Sequence, residues 1–154
     1  MQEDLWEFAL AVYARPGVEG ACLRVQEAGA DVCLVLAALW LDRRGCALET
    51  KGLGRLRTAS SHWQDTVVRP LRQLRQAWKV PAGEDEDLAA LREQLKNLEL
   101  SAEREQLSRL ARLAAHWPCR AVGSEASWLQ AVAPTAAATS DLVLLAEAAR
   151  AVRP

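Results

Sequence analysis

Two histidines and four cysteines are the side chains here best equipped for metal or nucleophilic chemistry. His62 and His116 are each followed by Trp, with no carboxylate or thiol placed beside them as a zinc set requires. Cys22, Cys33, Cys46 and Cys119 form no C-x-x-C pair and match no zinc spacing. Cys22 and Cys33 fall on apolar helical faces, where Cys acts as a small hydrophobe. Cys46, in an expected loop, is the better candidate for a reactive thiol. No nucleophile elbow, metalloprotease His pair, phosphate loop or dinucleotide fingerprint occurs, and Gly52-Leu53-Gly54 is too short to cradle phosphate. Asp31 is the one carboxylate beside the most apolar segment. It reads as a helix cap, and as a catalytic acid it lacks a partner. The sequence therefore assigns no catalytic residue, no metal ligand and no cofactor.

The remaining chemistry is charge. The net charge is −1, but it is segregated. Residues 1–41 carry −4, 42–79 carry +6, 80–105 carry −5 and 106–154 carry +2. At helical spacing Arg69, Arg72, Arg75 and Lys79 share a stripe of about 120°. That stripe is either an anion- or RNA-binding face or a helix flank that pairs with the acidic block. Phosphate binding usually comes with glycines at a helix start or with aromatics free for stacking. The tryptophans here (6, 40, 63, 78, 117, 128) follow apolar stripes, so internal pairing is the commoner outcome.

These residues must be held by helices, because β-branched residues are sparse and no strand alternation persists. At 154 residues the chain fits one domain, 1–154. Val32–Leu41 is apolar on every side and too short to span a membrane, which takes about 20 residues. It predicts a buried central helix at about 32–44, capped by Asp31 and stopped by Gly45. A first helix is expected from about Asp4 to Ala14, and a second with Pro16 as its first residue. After a loop from Cys46 to about Gly54, an amphipathic helix over 61–79 carries Trp63, Val67, Leu71, Leu74 and Trp78 on one stripe. Ser61 and Gln64 suit a capping box there, and Pro70 predicts a kink or a division. A long helix is expected over about 84–117. Its stripes Leu88-Leu91-Leu95-Leu98-Ala102 and Leu100-Leu107-Leu110-Ala114-Trp117 are out of register, which predicts two faces or a bend near Ser101. Two shorter helices follow, Glu125–Val132 and Asp141–Val152, the latter capped by Ser140. They are joined by an alanine-rich stretch, 133–139, that is free to move. The expected architecture is all-α: a single-domain orthogonal bundle of six or seven helices.

Several clusters then carry a family likeness. Leu5-Trp6-Glu7-Phe8-Ala9-Leu10, Tyr13-Ala14-Arg15-Pro16-Gly17-Val18-Glu19, Gly29-Ala30-Asp31-Val32 and Trp40-Leu41 before Arg44-Gly45 occur in order. Together they resemble a family of short proteobacterial proteins of unknown function. Val67-Val68-Arg69-Pro70-Leu71-Arg72 is similar to its later Arg-Pro-Leu-Arg segment, and the likeness covers roughly residues 4–117. The family pattern carries Asn after Asp-Val, where this chain has Cys33, so a polar role at that position is lost here or performed otherwise. The resemblance implies a bacterial, cytosolic, helical protein and supplies no reaction.

The leading expectation is a non-enzymatic interaction or adaptor protein, binding a protein partner or a second copy through the long helix. The alternative is RNA or ribosome binding through Arg69, Arg72, Arg75 and Lys79. A third reading is a small-molecule pocket beside the tryptophan-rich core. Tyr13, Arg15 and Glu19 are candidate surface contacts. The acidic start lacks a secretory pattern, so the expected compartment is the cytoplasm, with no membrane association.

Overall fold

Asp31 opens the central helix as the sequence requires. Its Oδ1 accepts hydrogen bonds from the backbone N–H groups of Cys33 (3.0 Å) and Leu34 (3.4 Å). The helix, Val32–Arg43 (α3), buries every residue from Cys33 to Leu41. Gly45 ends it at φ +69°, a left-handed conformation that glycine adopts without strain, and the Cys46 N–H bonds back to the Leu41 carbonyl (3.0 Å).

This computed structural model describes residues 5–119 and 127–152, and within them the protein is all-α. Around α3 lie α1 (Leu5–Tyr13), α4 (Thr50–Trp63), α7 (Glu86–Ala114), α8 (Trp128–Val132) and α9 (Thr139–Ala151), while α2 (Val18–Glu27) packs mainly on α9. Arg24 of α2 pairs with Asp141 in the first turn of α9 (Nη2–Oδ1 2.8 Å). Asp42, at the far end of α3, caps a different helix: it accepts from the N–H groups of Trp128 (2.8 Å) and Leu129 (3.1 Å) and from the Ser127 hydroxyl (2.8 Å). The Trp128 indole donates to the Cys46 carbonyl (2.9 Å) and stacks on Trp117, their rings 5.4 Å apart.

Between α4 and α5 (Arg69–Ala77) the helix widens into a π turn, Gln64–Val68, and a short α6 (Lys79–Ala82) follows. The helix is not divided at Pro70; it widens there instead. The proline has no N–H, and its ring crowds the carbonyl four residues back. A wide turn, in which the Arg69 N–H reaches the Gln64 carbonyl, makes room for the ring and keeps the rod continuous. Counting α4 to α6 as one rod leaves seven helical segments among the described residues.

Several local expectations are corrected. The loop after α3 is short, and α4 begins at Thr50, so Ser61 and Gln64 lie inside a helix and form no capping box. Pro16 sits in a turn, and Gly17, at φ +80°, precedes α2 instead. Ser140 caps nothing, because α9 starts at Thr139. The long helix is uninterrupted from Glu86 to Ala114, with Asp85 as its cap, so its two stripes are two faces and not a bend. Cys46 is no free thiol: it is joined to Cys119 in a disulfide. The expected helix starts at Asp4 and Glu125 lie outside the described residues.

Candidate functional site

α7 divides the molecule. Its C-terminal half lies in the core. Its N-terminal half forms an antiparallel arm with α5 and α6, and two chemically different flanks run along that arm.

One flank is ionic. Glu99 of α7 accepts from Arg72 Nε (3.0 Å) and from Arg75 Nε, and Arg72 Nη2 reaches Glu103 (3.1 Å). Arg92 donates from α7 to the Arg75 carbonyl (2.9 Å), which ties the two helices together on the same side. Burial pushes the Glu99 carboxyl up, but the two guanidiniums outweigh it and hold it below the usual range. Glu103 ends above the usual range, because burial and Glu99 together outweigh Arg72 and Arg75. Half of the predicted basic stripe, Arg72 and Arg75, is thus turned onto acids of α7. Arg69 pairs with Asp65 in solvent (2.8 Å), and Lys79 is exposed near the tip.

The other flank is apolar. From the stripe Trp63-Val67-Leu71-Leu74-Trp78, the residues Trp63, Val67 and Leu71 meet Leu98 and Ala102 of α7. The seam buries Leu95 and Ala102, and the Trp63 indole donates to the Ala102 carbonyl (2.8 Å). Leu74, Leu91 and Leu98 stay 42%, 51% and 54% exposed, and Val67, Pro70, Leu71 and Leu98 line an open groove.

Where the ionic flank meets the core, Asp31 joins three helices. Its Oδ2 accepts from the Ser60 hydroxyl of α4 (2.5 Å) and the Gln106 amide of α7 (2.9 Å). Burial raises the Asp31 pKa, and its four hydrogen bonds oppose that rise. Four donors fill the acceptor capacity of a carboxylate.

Beside Asp31 lies a chamber of about 230 Å³ between α1, α2, α3 and α7, walled by Ala9, Val32, Leu36 and Leu107. Leu10, Tyr13 and Leu100, all substantially exposed, stand at its rim. A more polar hollow of about 600 Å³ adjoins it toward α4 and the α8–α9 turn, with Arg57, Asp65 and Arg69 on its wall. Gln26, Asp31, Gln64 and Arg72 belong to both spaces and form the throat between them.

Of the sequence candidates, Arg72 and Tyr13 meet at this chamber. Arg69 faces only the outer hollow. Arg15, Glu19, Arg75 and Lys79 lie elsewhere, the first two exposed on the turn before α2 and at its start. Sequence reasoning missed Gln64, Gln26 and Glu103. A glutamine five residues ahead of the residue before an in-helix proline was the available signal for Gln64, since the widened turn opens there.

No helix among the described residues is long and apolar enough to cross a membrane. No curated protein and no solved structure matches the chain. Residues 4–110 match the family model described as a protein of unknown function, DUF2390, a span that includes the arm, the throat and the Asp31 junction but not α8 and α9. On that match, which covers well over half its length, the chain belongs to this family.

Proposed function

We propose that this is a non-enzymatic interaction protein that docks through its α5–α7 arm, with a second copy of the chain as the first partner to test. One observation carries the reading: the half-exposed leucines 74, 91 and 98 lie on one flank of a two-helix arm whose opposite flank is closed by ion pairs. Two such arms, related by a twofold axis, would cover each other's apolar flank as a four-helix bundle, a self-complementary contact. In this reading the protein works in a bacterial cytoplasm.

The test is molar mass by light scattering across a concentration series. The parent is expected to be dimeric, with a melting point that rises with concentration, and Leu91→Glu with Leu98→Glu monomeric with an unchanged helical spectrum and a melting point independent of concentration. A parent that is monomeric at every concentration removes the self-docking reading. The RNA alternative now depends on Arg69 and Lys79, and binding of a labelled single strand at low salt that survives their change to Glu would have to come from elsewhere.

A further inference from the structure

We propose that the chamber between α1, α3 and α7 binds a small uncharged ring compound with a carboxamide-type donor–acceptor edge, read by the side chain of Gln64. This is independent of docking by the arm. Gln64 is 8% exposed overall; its side-chain amide has no hydrogen-bond partner among the described residues and lines both the chamber and the outer hollow. An amide that lines a cavity and is not used by the fold keeps its donors and its acceptor for whatever occupies that cavity. Gln106 shows the structural alternative in the same molecule: it is 1% exposed, away from the chamber, and its Nε2 is fixed on Asp31 and Ser60 (both 2.9 Å). Gln64 also opens the π turn, a wide turn frequently found at functional sites. Gln26, from α2, brings a second amide without a partner among the described residues to the same throat.

The charged groups of the chamber wall point to an uncharged ligand. Asp31 is saturated by four donors, and Arg72 is engaged by Glu99 and Glu103. No cation is left over for a ligand carboxylate, and Arg72 beside Glu103 weakens the case for a ligand ammonium. The rest of the wall is mostly apolar. A chamber of about 230 Å³ exceeds the ~150 Å³ that suffices for benzene.

Four probes on one ring decide the matter: benzamide, benzoate, benzylamine and toluene, titrated into the full chain and followed by protein NMR. Benzamide is expected to bind at least tenfold more tightly than the other three and to shift the side-chain NH₂ resonance of Gln64. Gln64→Leu should weaken benzamide about tenfold and leave toluene unchanged. If that variant does not fold, the Gln64 resonance of the parent decides alone. Failure of benzamide to move it, toluene binding as well as benzamide, or a preference for benzylamine or benzoate would each overturn the proposal.

Discussion

Asp31 performs two tasks with one carboxylate. Oδ1 caps α3, and Oδ2 holds Ser60 and Gln106, so the start of the central helix, α4 and α7 are locked at one point. Asp31→Ala removes a cap worth about 1 kcal/mol and strands two buried polar partners at about 1–3 kcal/mol. We expect a loss of about 2–3 kcal/mol in urea unfolding. Asp31→Asn should cost less than half as much, because Asn still caps and its new N–H groups can meet the unpartnered Oε1 of Gln106. The pH dependence has a definite sign. Asp31 holds its proton more tightly folded than unfolded, so its contribution to stability falls as pH rises from about 4 through its raised value. The stability difference between parent and Asp31→Asn should therefore change across that window and level off above it. A flat difference from pH 3.5 to 7 would show that Asp31 titrates normally. Asp31 was legible in the sequence as a cap. Its second role was not, because Ser60 and Gln106 come from 29 and 75 residues away.

At the scale of elements, α4 carries two glycines in very different surroundings. A Cβ on Gly52 would stand 3.3 Å from Trp117 and 3.4 Å from Trp128, whereas one on Gly54 meets nothing within 4 Å. Gly54→Ala should stabilise the protein by about 0.5–1 kcal/mol through helix propensity and lost chain freedom. Gly52→Ala should gain little or lose stability, because the stacked tryptophans must give way. Equal shifts in thermal melting for the two variants would contradict that packing. The Gly-Leu-Gly spacing was visible in the sequence, and its exclusion as a phosphate loop stands on length. Which glycine is structural depends on two tryptophans, one just after α7 and one at the start of α8. The amphipathic stripes of α5 and α7 were equally visible. That the two apolar stripes share one flank, and Arg72 and Arg75 meet Glu99 on the other, follows only from the antiparallel register of the arm.

For the whole molecule, the Cys46–Cys119 bond ties the end of α3 to the segment after α7 across 73 residues. Closing a loop of that length restricts the unfolded chain, and reduction should lower stability by about 2–4 kcal/mol. Urea unfolding with and without a thiol reductant measures this, and identical midpoints would show that the bond contributes nothing. Such bonds belong to oxidising surroundings, which sets this pair against the expected cytoplasmic location. Alkylation of acid-quenched cells followed by mass spectrometry gives the state in place: blocked thiols at 46 and 119 fit the cytoplasm, and an intact bond moves the protein out of it.

Local pattern was enough to determine that the chain is helical, that Val32–Leu41 is its centre, and that Asp31 and Gly45 bound that helix. Periodicity, capping and turn chemistry act over a few residues and can be read along the chain. The throat, the ion pairs of the arm, the capping of α8 by Asp42 and the disulfide were decided only in three dimensions. Each joins residues tens of positions apart, and their distances depend on how whole helices pack. A glutamine that lines a cavity looks like any other glutamine until that packing is known.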